Sequence, residues 1–198
     1  MAAYLIVDVD DLLQRFTSRG ISLDLQELAV GLRGGAALAA GLFSADSLKA
    51  VAVANWSAHG STGTNFQRIF RSAGYDVFDM PRRETLADAL IVHYFSFDPE
   101  PVDELILATT NPDLVPLVRR VKTTRNARIR IWGAENILAG TELATQVIFQ
   151  PLESLPGIQT KNVAVYIDFE NIAISLNEQG LVVNLDHLID RFVMQAKA

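Results

Sequence analysis

Short runs that are apolar at every position constrain the fold of this chain more than any other feature. Tyr4-Leu5-Ile6-Val7, Val51-Ala52-Val53-Ala54 and Leu105-Ile106-Leu107-Ala108 are such runs. A strand without a polar side has no face for water, so it belongs inside a sheet covered on both faces. Between the runs lie segments with helical signals. Asp11–Ser18 reads as a short helix or turn closed by Arg19-Gly20, and Asp24 caps a longer helix carrying Leu25, Leu28, Leu32 and Leu38, which Gly34-Gly35 should weaken. Lys49–Trp56 is the second strand, Ser57–Thr64 a polar loop, and Asn65–Ser72 a helix ending at Gly74. A third strand, Tyr75–Met80, is followed by a helix from Glu84 to about Phe97 and an acidic, proline-containing linker, Asp98-Pro99-Glu100-Pro101.

The fourth strand is Glu104–Thr109, followed by a helix from about Asp113 to Lys122 and a fifth strand, Arg128–Trp132. Ala134–Ala139 is read as a short helix and Gln146–Phe149 as a last strand. Strands alternating with helices imply right-handed crossovers and a doubly wound, three-layer α/β domain with a mostly parallel sheet over residues 1–150.

A chain of 198 residues with 49% hydrophobic content is long enough for one full core of this kind. No apolar run approaches the roughly 20 residues that span a bilayer, and no basic stretch followed by a cleavage site opens the chain. The expectation is a soluble, cytoplasmic protein without a membrane partner. The lack of cysteine excludes a disulfide framework and thiolate metal ligands, and a net charge of -6 argues against a general nucleic-acid coat protein.

The first strand ends on Asp8, Asp10 and Asp11, three carboxylates within four residues. An open parallel sheet keeps its binding crevice at the C-terminal ends of its strands. Charges so close repel one another unless cations, hydrogen bonds or protonation offset them. Mg²⁺ or Mn²⁺ would suit such oxygens. The plainer reading is that the acids cap the following helix.

Residues 151–161, punctuated by Pro151, Pro156 and Gly157, read as a linker. Beyond them the opening segment recurs. Asp168 falls 160 residues after Asp8, and Gly180, Leu185 and Leu188 stand at the same offset from Gly20, Leu25 and Leu28. Residues 162–198 thus form the first strand and helix of a second copy. One strand and one helix cannot close a sheet, so the expectation is a fragment of a two-domain protein, a homodimer, or docking of 162–198 on a partner or on the missing remainder of a second domain.

The segment Val163-Ala164-Val165-Tyr166-Ile167-Asp168-Phe169-Glu170-Asn171-Ile172 resembles the opening strand of the NYN domain, a branch of the PIN-like nuclease superfamily whose Ile-Asp-x-x-Asn segment starts the fold. The first copy is similar to the same family over nearly all of residues 3–150, with Asp8 at the aspartate position and Asp11 at the asparagine position. Asp88, Ile91 and Tyr94 align with a helix whose first acid is kept and whose second is lost, unless a register slip puts His93 there. Thr109-Thr110-Asn111-Pro112-Asp113-Leu114-Val115-Pro116-Leu117 resembles the family's Ser-Gly-Asp-x-Asp-Phe-x-Pro-Leu, with Asn111 replacing the first acid and Asp113 keeping the second.

That resemblance implies a PIN-like, Rossmannoid fold and a metal-dependent ribonuclease site. Its catalytic acids would be Asp8, Asp88 and Asp113, and its Mg²⁺ or Mn²⁺ ligands Asp8, Asp11, Asp88, Asn111 and Asp113. The departures at 94 and 111 imply weakened or lost catalysis in an RNA-binding or assembly domain, the alternative being an active ribonuclease. Arg119, Arg120, Lys122, Arg125, Arg128 and Arg130, with Arg82 and Arg83, form candidate RNA-phosphate contacts. Trp56 would stack on a base or, as is commoner there, pack in the core. His59 and His187 receive no role, since neither has ligand spacing to another histidine.

Overall fold

The computed structural model describes residues 2–21, 23–80, 102–134 and 137–155, with the backbone alone for Asp113 and Glu153. The strands are β1 (Ala3–Asp8), β2 (Leu48–Ala54), β3 (Asp76–Asp79), β4 (Glu104–Ala108), β5 (Arg128–Gly133) and β6 (Ile148–Pro151). Four α-helices accompany them among the described residues: α1 (Val9–Ser18), α2 (Leu25–Ala39), α3 (Gly60–Ser72) and α4 (Val115–Arg125). The six strands form one sheet in the order β3-β2-β1-β4-β5-β6, and every pairing is parallel. The architecture is α/β and doubly wound, as the unbroken apolar runs require. The sheet reverses its winding between β1 and β4, which places the crevice of such a fold at their C-terminal ends.

Alternation along each strand divides the core into two layers. On one face Leu5, Val7, Ala50, Ala52, Ala54 and Ile106 meet Leu12 and Phe16 of α1, Leu28 and Leu32 of α2, and Phe70 of α3. On the other, Tyr4, Ile6, Val51, Val53, Leu105 and Leu107 meet Leu117, Val118 and Val121 of α4. The three alanines of β2 keep the first face shallow where three helices crowd it. Leu152 and Leu155 are also buried in that layer, so the packed unit reaches into the stretch read as a linker.

Two local expectations are corrected. Ser57–Thr64 is no loop: a 3-10 turn spans Trp56–His59, and α3 follows at once from Gly60. Asn55 starts that turn by accepting the Ala58 N–H at 3.1 Å on its side-chain oxygen, a cap whose effect composition does not reveal. A Cβ on Gly63 would collide with the Trp56 carbonyl oxygen, so a glycine lets the helix seat against the turn. The helix α2 runs through Gly34-Gly35 unbroken, because Asp24 accepts the N–H groups of Gln26 and Glu27 and burial of Gly35, Ala36 and Ala37 outweighs weak propensity. Residues 137–140 form a turn where a short helix is expected. The expected helix from Glu84 and the linker before β4 lie outside the described residues.

At the N-terminal edge of the sheet Glu104 is 1% exposed. Its Oε1 takes Arg130 at 3.2 Å and its Oε2 an ion pair with Arg128 at 3.5 Å, while the Arg130 Nη2 also donates to the Ala39 carbonyl at the end of α2. Arg128 and Arg130 therefore belong to an ion cluster with Glu104 at the edge remote from the crevice. Removing the buried partner leaves charge uncompensated. Glu104→Ala is expected to lower the unfolding free energy by about 3 kcal/mol in urea titrations, the low end for a buried pair because Arg130 keeps the Ala39 carbonyl.

Candidate functional site

The strand β1 turns directly into α1, so its terminal residue is also the helix cap: Asp8 accepts the Asp11 N–H at 3.2 Å. Asp10 and Asp11 fall in the first helical turn. Successive helical residues point about 100° apart. Because β1 lies between β2 and β4, that divergence sends one acid to each neighbour.

Asp10 reaches the β2 side. Its Oδ2 accepts the Asn55 N–H at 2.7 Å, and its Oδ1 lies 2.6 Å from Nε2 of His59 in the 3-10 turn. The imidazole also packs on Phe66, ring centres 5.8 Å apart. Asp11 reaches the β4 side and takes the Thr110 hydroxyl at 2.6 Å and the Thr110 backbone N–H, and it shares with Asp8 the one proton of the Thr109 hydroxyl, 3.2 Å away. The loop that presents them is held in turn. Thr109 donates its N–H to Trp132 of β5, Asn111 donates its own to the Thr109 hydroxyl at 3.0 Å, and a Cβ on Gly133 would collide with the Thr109 carbonyl.

Burial chiefly, and then the neighbouring charges of Asp11 and Asp10, raise the Asp8 carboxyl from its ordinary 3.8 to about 7; the Asp11 N–H and the Thr109 hydroxyl oppose the shift. The site thus holds two carboxylates anchored by donors and a third whose proton is exchangeable near neutrality.

Of the residues expected in a site, Asp8, Asp11 and the Thr109–Asn111 loop come together at the switch point. Asn111 contributes through its backbone as described, and Asp113 lies in the following 3-10 turn, Pro112–Leu114. Asp88, Arg82 and Arg83 lie outside the described residues. Arg119 and Arg120 are exposed on α4, whose last turn carries Lys122 and Arg125, on the face of the sheet opposite α2 and α3. Trp56 is buried and donates its indole N–H to the Phe78 carbonyl at 2.7 Å, so it packs in the core and does not stack on a base.

Sequence reasoning misses His59, Thr109 and Thr110 as site members. The partner of His59 is 49 residues away, and those of the threonines 98 and 99, so no local spacing marks them. The available signal was position alone: each stands just beyond the C-terminal end of a strand next to β1. Among the described residues no group of three or more His, Asp or Glu side chains is arranged to hold a metal ion, and no helix is long and apolar enough to cross a membrane.

A scan against protein-family models finds none that matches, and a search of curated proteins finds no match either. Among solved structures the chain is similar to a crystal structure of a protein of unknown function from Vibrio parahaemolyticus. The TM-score is 0.56 at 17% identity, over 76% of this chain and 92% of that one. At that identity the likeness speaks to the fold alone.

Between the ordinary and the raised value, folded Asp8 keeps a proton that the unfolded chain has lost. Stability present at about pH 4 is therefore lost as the pH rises to about 7. Asp8→Asn keeps the cap and removes the titration. It is expected to match the parent protein at about pH 4 and to exceed its stability at about pH 8 by up to about 4 kcal/mol, read from urea midpoints at each pH.

Proposed function

We propose that residues 1–150 are a PIN-like domain of NYN type that binds RNA and has given up metal-dependent cleavage. The observation that carries this reading is the filling of the Asp11 carboxylate by the Thr110 hydroxyl and N–H and by the Thr109 hydroxyl that it shares with Asp8. In the resemblance, position 11 belongs to an asparagine, which both donates and accepts. Here it faces three donors, and an acceptor-only carboxylate is the matching group. That supports a role in holding β4 to α1. A cation at Asp11 would have to displace hydrogen bonds that are already made.

The donor set fits Mg²⁺ or Mn²⁺ poorly on other grounds as well. Asp10 is occupied by Asn55 and His59, and Asn111 supplies no charge where the family has an acid. Hard cations favour several anionic oxygens that can be drawn in together. A second reading, an active ribonuclease, draws support from the raised Asp8, since strongly shifted acids concentrate at functional sites.

The two readings separate in one assay. Single-stranded RNA incubated with the protein and Mn²⁺ or Mg²⁺ is expected to be bound but not cut, with affinity falling as salt rises. Asp8→Asn with Asp113→Asn is expected to leave binding unchanged. Cleavage that needs the metal and disappears in that double variant would replace the binding role with the nuclease.

A further inference from the structure

The outer side of α3 carries a feature that the acidic crevice does not explain. Ser61, Thr64, Asn65, Arg68, Arg71 and Ser72 line a hollow of about 650 Å³. Their spacing puts them on one stripe of the helix. Two guanidinium groups and four neutral polar side chains face it, and no carboxylate is among the described residues that line it. In a chain of net charge -6 such a basic hollow is a local exception, and the protein's overall field would repel a polyanion from most other surfaces.

The composition of the stripe suits one ligand chemistry. Arginine binds phosphate oxygens through paired N–H groups, while hydroxyl and amide side chains add positioning hydrogen bonds. Arg68 is partly held already, since its Nη2 donates to the Asn65 Oδ1 at 2.7 Å. Among the described residues that line it there is no aromatic ring on which a base would stack. These features fit the sugar-phosphate backbone of a nucleic-acid strand, read without regard to sequence.

The basic residues of α4 compare poorly with this stripe. Arg119 and Arg120 are adjacent in sequence, so they diverge by about 100° and do not share one stripe of the helix as Arg68 and Arg71 do. The nearby hydroxyls are spent on the helix itself: Thr123 donates to the Arg119 and Arg120 carbonyls, and Thr124 to that of Arg120. The hollow has a further advantage of place. The first residue of α3 follows His59, the partner of Asp10, so a strand lying along the stripe runs to the crevice at the end of β1.

We infer that the α3 hollow is the phosphate-binding surface of this domain and takes two phosphates of a single-stranded RNA through Arg68 and Arg71. The inference rests on the RNA-binding reading above and assigns it a place. The test uses the full chain and a short fluorescein-labelled oligouridylate, with anisotropy measured over a series of salt concentrations. Arg68→Gln with Arg71→Gln is expected to weaken binding by about tenfold or more at low salt. It should also flatten the slope of log K against log salt by about 1.4, the loss of two phosphate contacts to a single strand. Arg119→Gln with Arg120→Gln is expected to change neither by more than about twofold. Both pairs are exposed, and unchanged circular dichroism and melting temperature would exclude misfolding. Binding abolished by the α4 pair and retained by the α3 pair would overturn the assignment while leaving the RNA reading intact. A parent protein that does not bind the oligonucleotide would overturn both.

Discussion

The interaction on which the rest of this structure depends is the grip of α1's first turn on both neighbours of β1. A central strand that passes straight into a helix places the next residues above the sheet, where the adjoining strand ends are within reach. Asp10 takes the β2 side through Asn55 and His59, and Asp11 the β4 side through Thr109 and Thr110. The switch point, where a doubly wound sheet opens, is here laced by hydrogen bonds. Charge-assisted bonds of this kind are among the stronger polar contacts, and in a partly buried setting they also define a single arrangement of the loops.

That grip has an electrostatic consequence. Asp10 and Asp11 are each held by donors from a neighbouring strand end, while half-buried Asp8 holds the Asp11 N–H and has its carboxyl raised to about 7, chiefly by desolvation and then by the charges of Asp11 and Asp10. Asp10 and Asp11 thus act as a clasp between the first turn of α1 and the strand ends on either side of β1. The outer side of α3, which starts from the turn carrying His59, presents Arg68 and Arg71 to solvent.

Much of the fold was legible because burial writes itself into the strands residue by residue. Tyr4–Val7, Val51–Ala54 and Leu105–Ala108 are apolar on both sides, and the two core layers follow from their alternation. Helix limits were less legible where a cap overrides composition. Ser57–Thr64 looks like a loop by its serines, threonines and glycines, yet the Asn55 side chain and the close seat of Gly63 make it a turn and a helix. In α2 the reverse weakness was overcome, since packing carried the helix through Gly34-Gly35.

The candidate site divides in the same way. Asp8 and Asp11 were visible as acids at a strand end, and Thr109–Asn111 as a segment with a motif's outline. Their mutual bonding was not, because contacts between β1 and β4 join residues nearly a hundred apart. The arginines show the limit most plainly. Arg119 and Arg130 fall in one sequence cluster, yet the first is exposed on α4 and the second pairs with buried Glu104 at the far edge of the sheet. By itself the sequence determined an α/β chain with buried parallel strands and an acidic first strand end, because apolar periodicity and local charge are properties of neighbouring residues. Only the tertiary structure decided which acids are satisfied, which histidine joins them and which cations face solvent, because those depend on the partners that strand order brings together.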